Sequence, residues 1–241
     1  MVTKGLSMIN IIRDKVIKPP RVVLYAPEGV GKTTFGVGTP NPLFICTERG
    51  TDNFEVPRVN CTTWNDVKDV FKFLALQEHE FKTLVIDTVD WLESMMVLHI
   101  CEESNKKSIE DFGFGKGYVK LEELTKQFIS GLDMLIEKGI GVFLLAHAKI
   151  EKFNDPELSE PLDRWQMKCH KRTTPLYKEW ADAVLFANHD RQVIEGKAVG
   201  GYQRKIWATH TAARDAKNRY GIPDMLDLDY KVLEPYFKGE K

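Results

Sequence analysis

Ala26-Pro27-Glu28-Gly29-Val30-Gly31-Lys32-Thr33-Thr34 follows the apolar run Val22-Val23-Leu24-Tyr25 and opens what reads as a short helix. This residue order suits the binding of phosphate. Backbone N–H groups at the turn point at an anion, Lys32 supplies a point charge, and the Thr33 hydroxyl can ligate Mg²⁺. Gly31 lets the backbone approach closely. Ala26 stands where the usual GxxxxGK(S/T) pattern has its first glycine, a small-residue variant that still permits the turn.

Three further polar residues stand at the ends of apolar runs. Leu43-Phe44-Ile45-Cys46-Thr47 leads to Glu48, Thr83-Leu84-Val85-Ile86 ends in Asp87, and Gly141-Val142-Phe143-Leu144-Leu145-Ala146 ends in His147. In an open α/β sheet, ligands bind outside the carboxyl ends of the strands, which puts these side chains on the phosphate-loop edge. Asp87 has the Walker B pattern, a carboxylate that holds the Mg²⁺ shell together with Thr33. Glu48 is either a residue that orients attacking water or a solvated strand-end acid. His147 is either a group facing the terminal phosphate or a satisfied structural histidine.

Two other segments combine cations and aromatics. Ser108 to Tyr118 carries three glycines among Phe112, Phe114, Lys116 and Tyr118, and reads as a mobile loop. From 148 to 178 the chain is polar and poor in periodicity, with acids first and then Arg164, Lys168, Lys171 and Arg172 near Trp165 and Tyr177. Positive charge beside π faces is what single-stranded nucleic acid contacts use. The alternatives are a glycine-rich turn with tucked aromatics and an ordinary solvated loop.

The elements that must position these groups alternate. Strands are expected at 21–25, 43–47, 83–87 and 141–146, with helices after the phosphate loop and over 64–78, 89–103 and 119–138. Another buried strand follows Trp180, and strands near 191–195 and 203–208 form a hairpin. The pattern predicts a mostly parallel sheet flanked by helices with an antiparallel C-terminal edge hairpin. Residues 1–20, with Met8, Ile9, Ile11, Ile12, Val16 and Ile17, read as an N-terminal extension expected to pack on the core, the alternative being a subunit-docking arm, and 21–241 as the domain itself.

Bulk properties narrow the classes. The 241 residues suit one α/β domain, and 43% apolar with 29% charged residues is ordinary for a soluble protein. The formal net charge of −1 gives no global field for nucleic acid, so such contact must come from local clusters or assembled subunits. Cys46, Cys61, Cys101 and Cys169 form no CxxC pair, and Cys169-His170 has no partner signal for thiol catalysis. The start lacks a signal-peptide core and no run spans a membrane, so a cytoplasmic protein with no membrane partner is expected.

Together, APEGVGKTTF, FICTERG, TLVIDTVD, FGFGKGY, LLAHAKI, EWADAVLF and AKNRYGIP resemble the RecA-like P-loop ATPases, and more narrowly the phage single-strand annealing ATPases and their phage nucleotide-binding relatives. The resemblance covers about 21 to 227. It implies a RecA-like core using ATP and Mg²⁺, with residues 26–34 binding nucleotide, Thr33 and Asp87 holding the metal, and Glu48 activating water. His147 falls at the family's sensor position, where RecA proteins have Gln. Lys217 and Arg219 fall where relatives place cations that reach a neighbour's ATP, which implies a homo-oligomer with nucleotide at subunit interfaces. The DNA-facing loops correspond to Phe114, Lys116 and Tyr118, and to Arg164, Lys168, Lys171 and Arg172.

The expected function is ATP hydrolysis linked to single-stranded DNA in recombination, repair or annealing, in the cytoplasm of a phage's bacterial host, with a phage single-strand binding protein as a further partner. The rivals are an ATP-dependent DNA-binding module with negligible hydrolysis and a small-molecule kinase.

Overall fold

The computed structural model describes residues 13, 14, 16–155, 159–194 and 197–241. In chain order the elements are β1 (Arg21–Ala26), α1 (Lys32–Val37), β2 (Pro42–Cys46), β3 (Arg58–Asn60), α2 (Trp64–Leu76), β4 (Thr83–Asp87), α3 (Val89–Glu103), α4 (Lys116–Glu137), β5 (Gly141–Phe153), β6 (Leu162–Met167), α5 (Thr174–Trp180), β7 (Ala183–Ile194), β8 (Lys197–Trp207), β9 (Lys217–Asn218), β10 (Met225–Asp227) and α6 (Tyr230–Phe237). Short 3₁₀ turns cover Arg49–Thr51 and Ile109–Phe112.

The sheet runs β10-β8-β7-β1-β5-β4-β2-β3. From β7 to β3 every pairing is parallel, while β8 and β10 add an antiparallel edge. The α/β class, the parallel centre and the edge hairpin are those the sequence predicts. Residues of β1 alternate between two cores, because successive side chains of a strand point to opposite faces. Val23 and Tyr25 pack toward α2, α3, α4 and α5; Val22, Leu24 and Ala26 pack toward α1 and α6. Both faces of the strands are covered, so they read as continuous apolar runs.

Local chemistry fixes the flanking helices. Thr63 caps α2 through a reciprocal box with Asp66, whose carboxylate takes the Thr63 N–H at 2.8 Å. Val67, Val70 and Leu74 then face the core. Helix α1 is short, as its glycines suggest, and Gly36 lets it settle against Phe44 and Val85: a Cβ there would stand 2.9 Å from each.

Three expectations need correction. The 108–118 segment is not a loop throughout, since a 3₁₀ turn leads through Gly113 (φ 66°), Phe114 (φ 50°) and Gly115 (φ 70°) into α4, which starts at Lys116. The sequence from 148 to 178 is not irregular either: β5 runs past the sheet to Phe153, pairs antiparallel with β6, and α5 follows. Its polarity hid the strands because the outer part of β5 is exposed and β6 buries a polar residue, Arg164, along with Met167. The strands expected near 183 and 191 are one, broken in appearance by polar Asn188-His189-Asp190 and a register shift between His189 and Arg191.

Of the N-terminal extension, Met8, Ile9, Ile11 and Ile12 lie outside the described residues. Val16 and Ile17 are 57% and 60% exposed, so these two do not pack into the core. Pro20 does dock, its carbonyl taking the Val142 N–H at 2.8 Å.

Candidate active site

Sheet register brings the strand-end residues level. Ala26 stands opposite His147, and Asp87 opposite both Cys46 and Leu145. β5 lies between β1 and β4, so His147 sits between the phosphate loop and Asp87. Glu48 follows two residues after β2 on the same edge.

The loop from Pro27 to Gly31 turns with positive φ at Gly29 (73°) and Gly31 (112°), a conformation that glycine adopts without strain. Ala26 is fully buried as the last residue of β1 and has no such φ, which explains why alanine serves there. Lys32 is 6% exposed, and its ammonium arcs back over the loop to the carbonyls of Pro27 (3.2 Å) and Ala26 (3.4 Å). Burial lowers its pKa, while Asp87, Asp90 and Glu48 pull the other way.

Thr33 Oγ1 donates to Asp87 Oδ2 at 2.6 Å. A hydroxyl and a carboxylate are hard oxygen donors of the kind Mg²⁺ takes beside phosphate oxygens, so this pair fits the ion. Burial raises the Asp87 pKa, with the Thr33 bond and Lys32 resisting. The carboxylate is thus short of positive charge in the chain's own surroundings.

His147 is held from behind by a residue that the sequence did not flag. Asp90, in the first turn of α3, accepts the His147 backbone N–H at Oδ1 (2.9 Å) and faces Nδ1 with Oδ2 (2.9 Å). Burial opposes the Asp90 charge, but the side-chain and backbone bonds from His147 outweigh it and the pKa falls below its ordinary value. An ionised Asp90 only accepts, which puts the ring proton on Nδ1 and leaves Nε2 facing Glu48 Oε1, 3.8 Å away. Glu48 itself is pushed up by burial, His147 resists, and Asp87 and Asp90 add to the rise. Thr47 fixes the preceding turn: its hydroxyl takes the Thr88 N–H (2.7 Å) and donates to the Thr88 carbonyl (2.8 Å). The available signal for Asp90 was its position, an acid in the first turn of the helix after Asp87.

The two basic, aromatic segments meet. Tyr118 stacks on His170 with centroids 4.3 Å apart and planes 4° from parallel. Phe114 is fully exposed, and Lys116, Lys168, Lys171 and Arg172 are exposed as well, Arg172 with its guanidinium 3.5 Å from Glu122. Lys168 N donates to the His147 carbonyl at 2.8 Å. Buried Glu93, one turn beyond Asp90, accepts the His170 N–H (2.8 Å) and the Thr173 hydroxyl. Glu93 too was invisible in the sequence, as one more acid in a helix.

Arg164 is a correction to the expected strand-contact set. It is 5% exposed, pairs with Asp215 at 2.8 Å, and covers the Phe153 ring at 4.3 Å. Its charge is used inside the chain. Lys217 and Arg219 stand away from Lys32. Lys217 Nζ donates to the carbonyls of Lys178 (2.9 Å) and Glu179 (2.8 Å), and Arg219 pairs with Asp182 at 3.0 Å. Asp182 also binds Arg21, the first residue of β1, so both cations lie at the opposite end of the strands. Cys169 is buried with its thiol pushed well above its ordinary value, which removes it as a nucleophile.

A parallel sheet ending in a Gly-Lys-Thr loop, a hydroxyl–carboxylate pair and an acid beside a histidine defines a P-loop ATPase domain. The chain belongs to the AAA domain family, whose model matches residues 18–220. It is similar to the SPbeta prophage-derived uncharacterized protein YorG of Bacillus subtilis (strain 168), at 24% identity over 213 residues and 84% of this chain. The chain spans 60% of that relative's length. Among solved structures it is similar to the RadB recombinase, at 13% identity and a TM-score of 0.47, over 86% of each chain. No helix among the described residues is long and apolar enough to cross a membrane.

Proposed function

We propose that the protein binds and hydrolyses ATP and couples that cycle to single-stranded DNA in recombination, repair or strand annealing, in a phage or prophage setting. One observation carries the reading: the exposed segment around Lys168 is hydrogen-bonded directly to His147, the residue between the phosphate loop and Asp87. Any shift of the His147 peptide moves the Lys168 backbone with it. Phe114 and the Tyr118–His170 stack supply π faces beside those cations, a combination that suits unpaired bases and their phosphates. The prophage derivation of the YorG relative agrees with the setting.

In the proposed cycle Lys32 moves from its own loop carbonyls to the β- and γ-phosphates. Thr33 and Asp87 hold Mg²⁺, which, when bound, neutralises charge on the phosphate oxygens. Glu48 orients the attacking water, and His147, its Nδ1 proton held by Asp90, presents Nε2 on the same side. Because phosphoryl transfer needs mainly positioning and electrostatics, this rigid hydrogen-bonded backing matters more than strong basicity. Lys217 and Arg219 serve a neighbouring copy's nucleotide in this reading; Arg219 is more than half exposed and has to exchange Asp182 for phosphate.

The test is phosphate release from ATP with and without single-stranded DNA over a series of protein concentrations. Stimulation that rises cooperatively with protein is expected. A rate indifferent to both DNA and concentration would leave a generic ATPase and remove the coupling and the shared site.

A further inference from the structure

The β7–β8 hairpin reaches the phosphate loop. β1 pairs with β7 as far as Phe186, and β7 then continues to Ile194 with β8 returning alongside it, so the hairpin extends beyond the end of β1. On the returning strand, Arg204 stands opposite His189, and its carbonyl accepts the Leu228 N–H at 2.9 Å. That bond ties this part of β8 to the turn between β10 and α6. The Arg204 side chain then lies against the loop: a Cβ placed on Gly31 would stand 2.6 Å from Arg204 Nη1 and 3.7 Å from Leu228 Cδ2.

Arg204 is placed differently from the arginines that hold carboxylates. Arg21, Arg164 and Arg219 each grip a carboxylate at 2.8 to 3.0 Å. Arg204 is exposed and makes no side-chain hydrogen bond or ion pair among the described residues. The charge around the loop explains why a cation is needed there. Asp87, Glu48 and Asp90 all act on Lys32, with His147 set against Asp90 and Glu48, and a nucleoside triphosphate adds more negative charge than the ion beside it cancels. A guanidinium presents several donors in a planar fork suited to phosphate oxygens and remains charged throughout.

We infer that Arg204 is a same-chain phosphate ligand of the bound nucleoside triphosphate, supplied by the edge hairpin at Gly31. This rests on the nucleotide reading of the loop. It separates the cation within reach of the loop from Lys217 and Arg219 at the far end of the strands. The ligand class is the polyphosphate chain, not the base, so the contribution holds across nucleobases.

The experiment is calorimetric titration of the intact protein with ATP, GTP and ADP in the presence of Mg²⁺, comparing Arg204→Ala and Arg204→Lys with the unsubstituted chain and with Lys32→Ala. Arg204→Ala is expected to weaken ATP and GTP by a similar factor, about 10-fold or more, and Arg204→Lys to recover part of the loss because it keeps the charge without the fork. The exposed position predicts unchanged melting temperatures for both. Wild-type affinity in Arg204→Ala overturns the proposal, and so does a loss confined to ATP with GTP unaffected, which marks a base contact. If the unsubstituted chain binds none of the three and Lys32→Ala matches it, the nucleotide reading itself falls and takes this role with it.

Discussion

At the amino end of the parallel strands, Asp182 takes Arg21 Nε at 2.8 Å and Arg219 Nη1 at 3.0 Å. Burial works against its charge, but the two arginine bonds prevail and its pKa falls below the ordinary value. At the carboxyl end, Glu48 and Asp87 are pushed the other way by burial, with Lys32 the one nearby lysine resisting. Asp182 is therefore paired at one end, while at the other Asp90 alone is held by His147, and Glu48 and Asp87 are left short of charge. Paired charges hold the chain together. Underpaired ones make a site that gains when cations and phosphate arrive together, at some cost to the fold beforehand.

The largest effect expected from disturbing this contrast is at Glu48. Glu48→Gln should lower ATP turnover by about 10² or more while raising the melting temperature at neutral pH, since it removes an ionised group that burial disfavours. Because the folded pKa is raised, the penalty of ionised Glu48 is full above that pKa and absent below the unfolded value near 4.3. The stabilisation should accordingly vanish in acid. A less stable variant at pH 7 would show that Glu48 is satisfied as it stands.

Asp90→Asn is expected to be intermediate, with turnover reduced about 10-fold, because the amide no longer dictates a donating Nδ1 on His147. An NMR measurement of the His147 tautomer should show the proton leaving Nδ1 in part. Full retention of both the rate and the tautomer would sever Asp90 from the site.

The smallest effect on turnover belongs to the opposite end. Asp182→Asn should cost about 1–2 kcal/mol of stability at pH 7, measured by denaturant unfolding, with hydrolysis per saturated site unchanged in dilute protein. Its folded pKa is depressed, so the contribution is present above the unfolded value near 3.9 and fades as pH falls through the folded one. Both substitutions thus lose their effect in acid, from opposite signs at neutral pH. Matching signs would erase the difference between the two ends.

The residues legible in the sequence were those whose context is local. Lys32, Thr33, Asp87 and Glu48 each follow an apolar run that could only be a buried strand, so their common edge could be inferred before any coordinates. Asp90 and Glu93 offered no such signal, because an acid in a helix looks solvated until the packing of α3 beside His147 and His170 is known. Arg164 was misread for the converse reason. It sits among polar residues, and the Asp215 that buries it is supplied from far along the chain. Arg204 belongs to an antiparallel return strand whose register was set by a shift that the amino-acid pattern does not reveal.

The excursion between His147 and Lys168 is closed at its root, where Lys168 N meets the His147 carbonyl and Ala148 pairs with Met167. The β6 arm is tied down again further out, by Arg164 to Asp215 and by the Trp165 N–H to the Ala213 carbonyl, so only the outermost end of the hairpin is interchangeable. Its tip can lengthen, shorten or change composition with no change of phase at the root, since the pairing at Ala148 and Met167 fixes where both arms start. A change at the tip then leaves Arg164, Trp165 and the His147 peptide where they are.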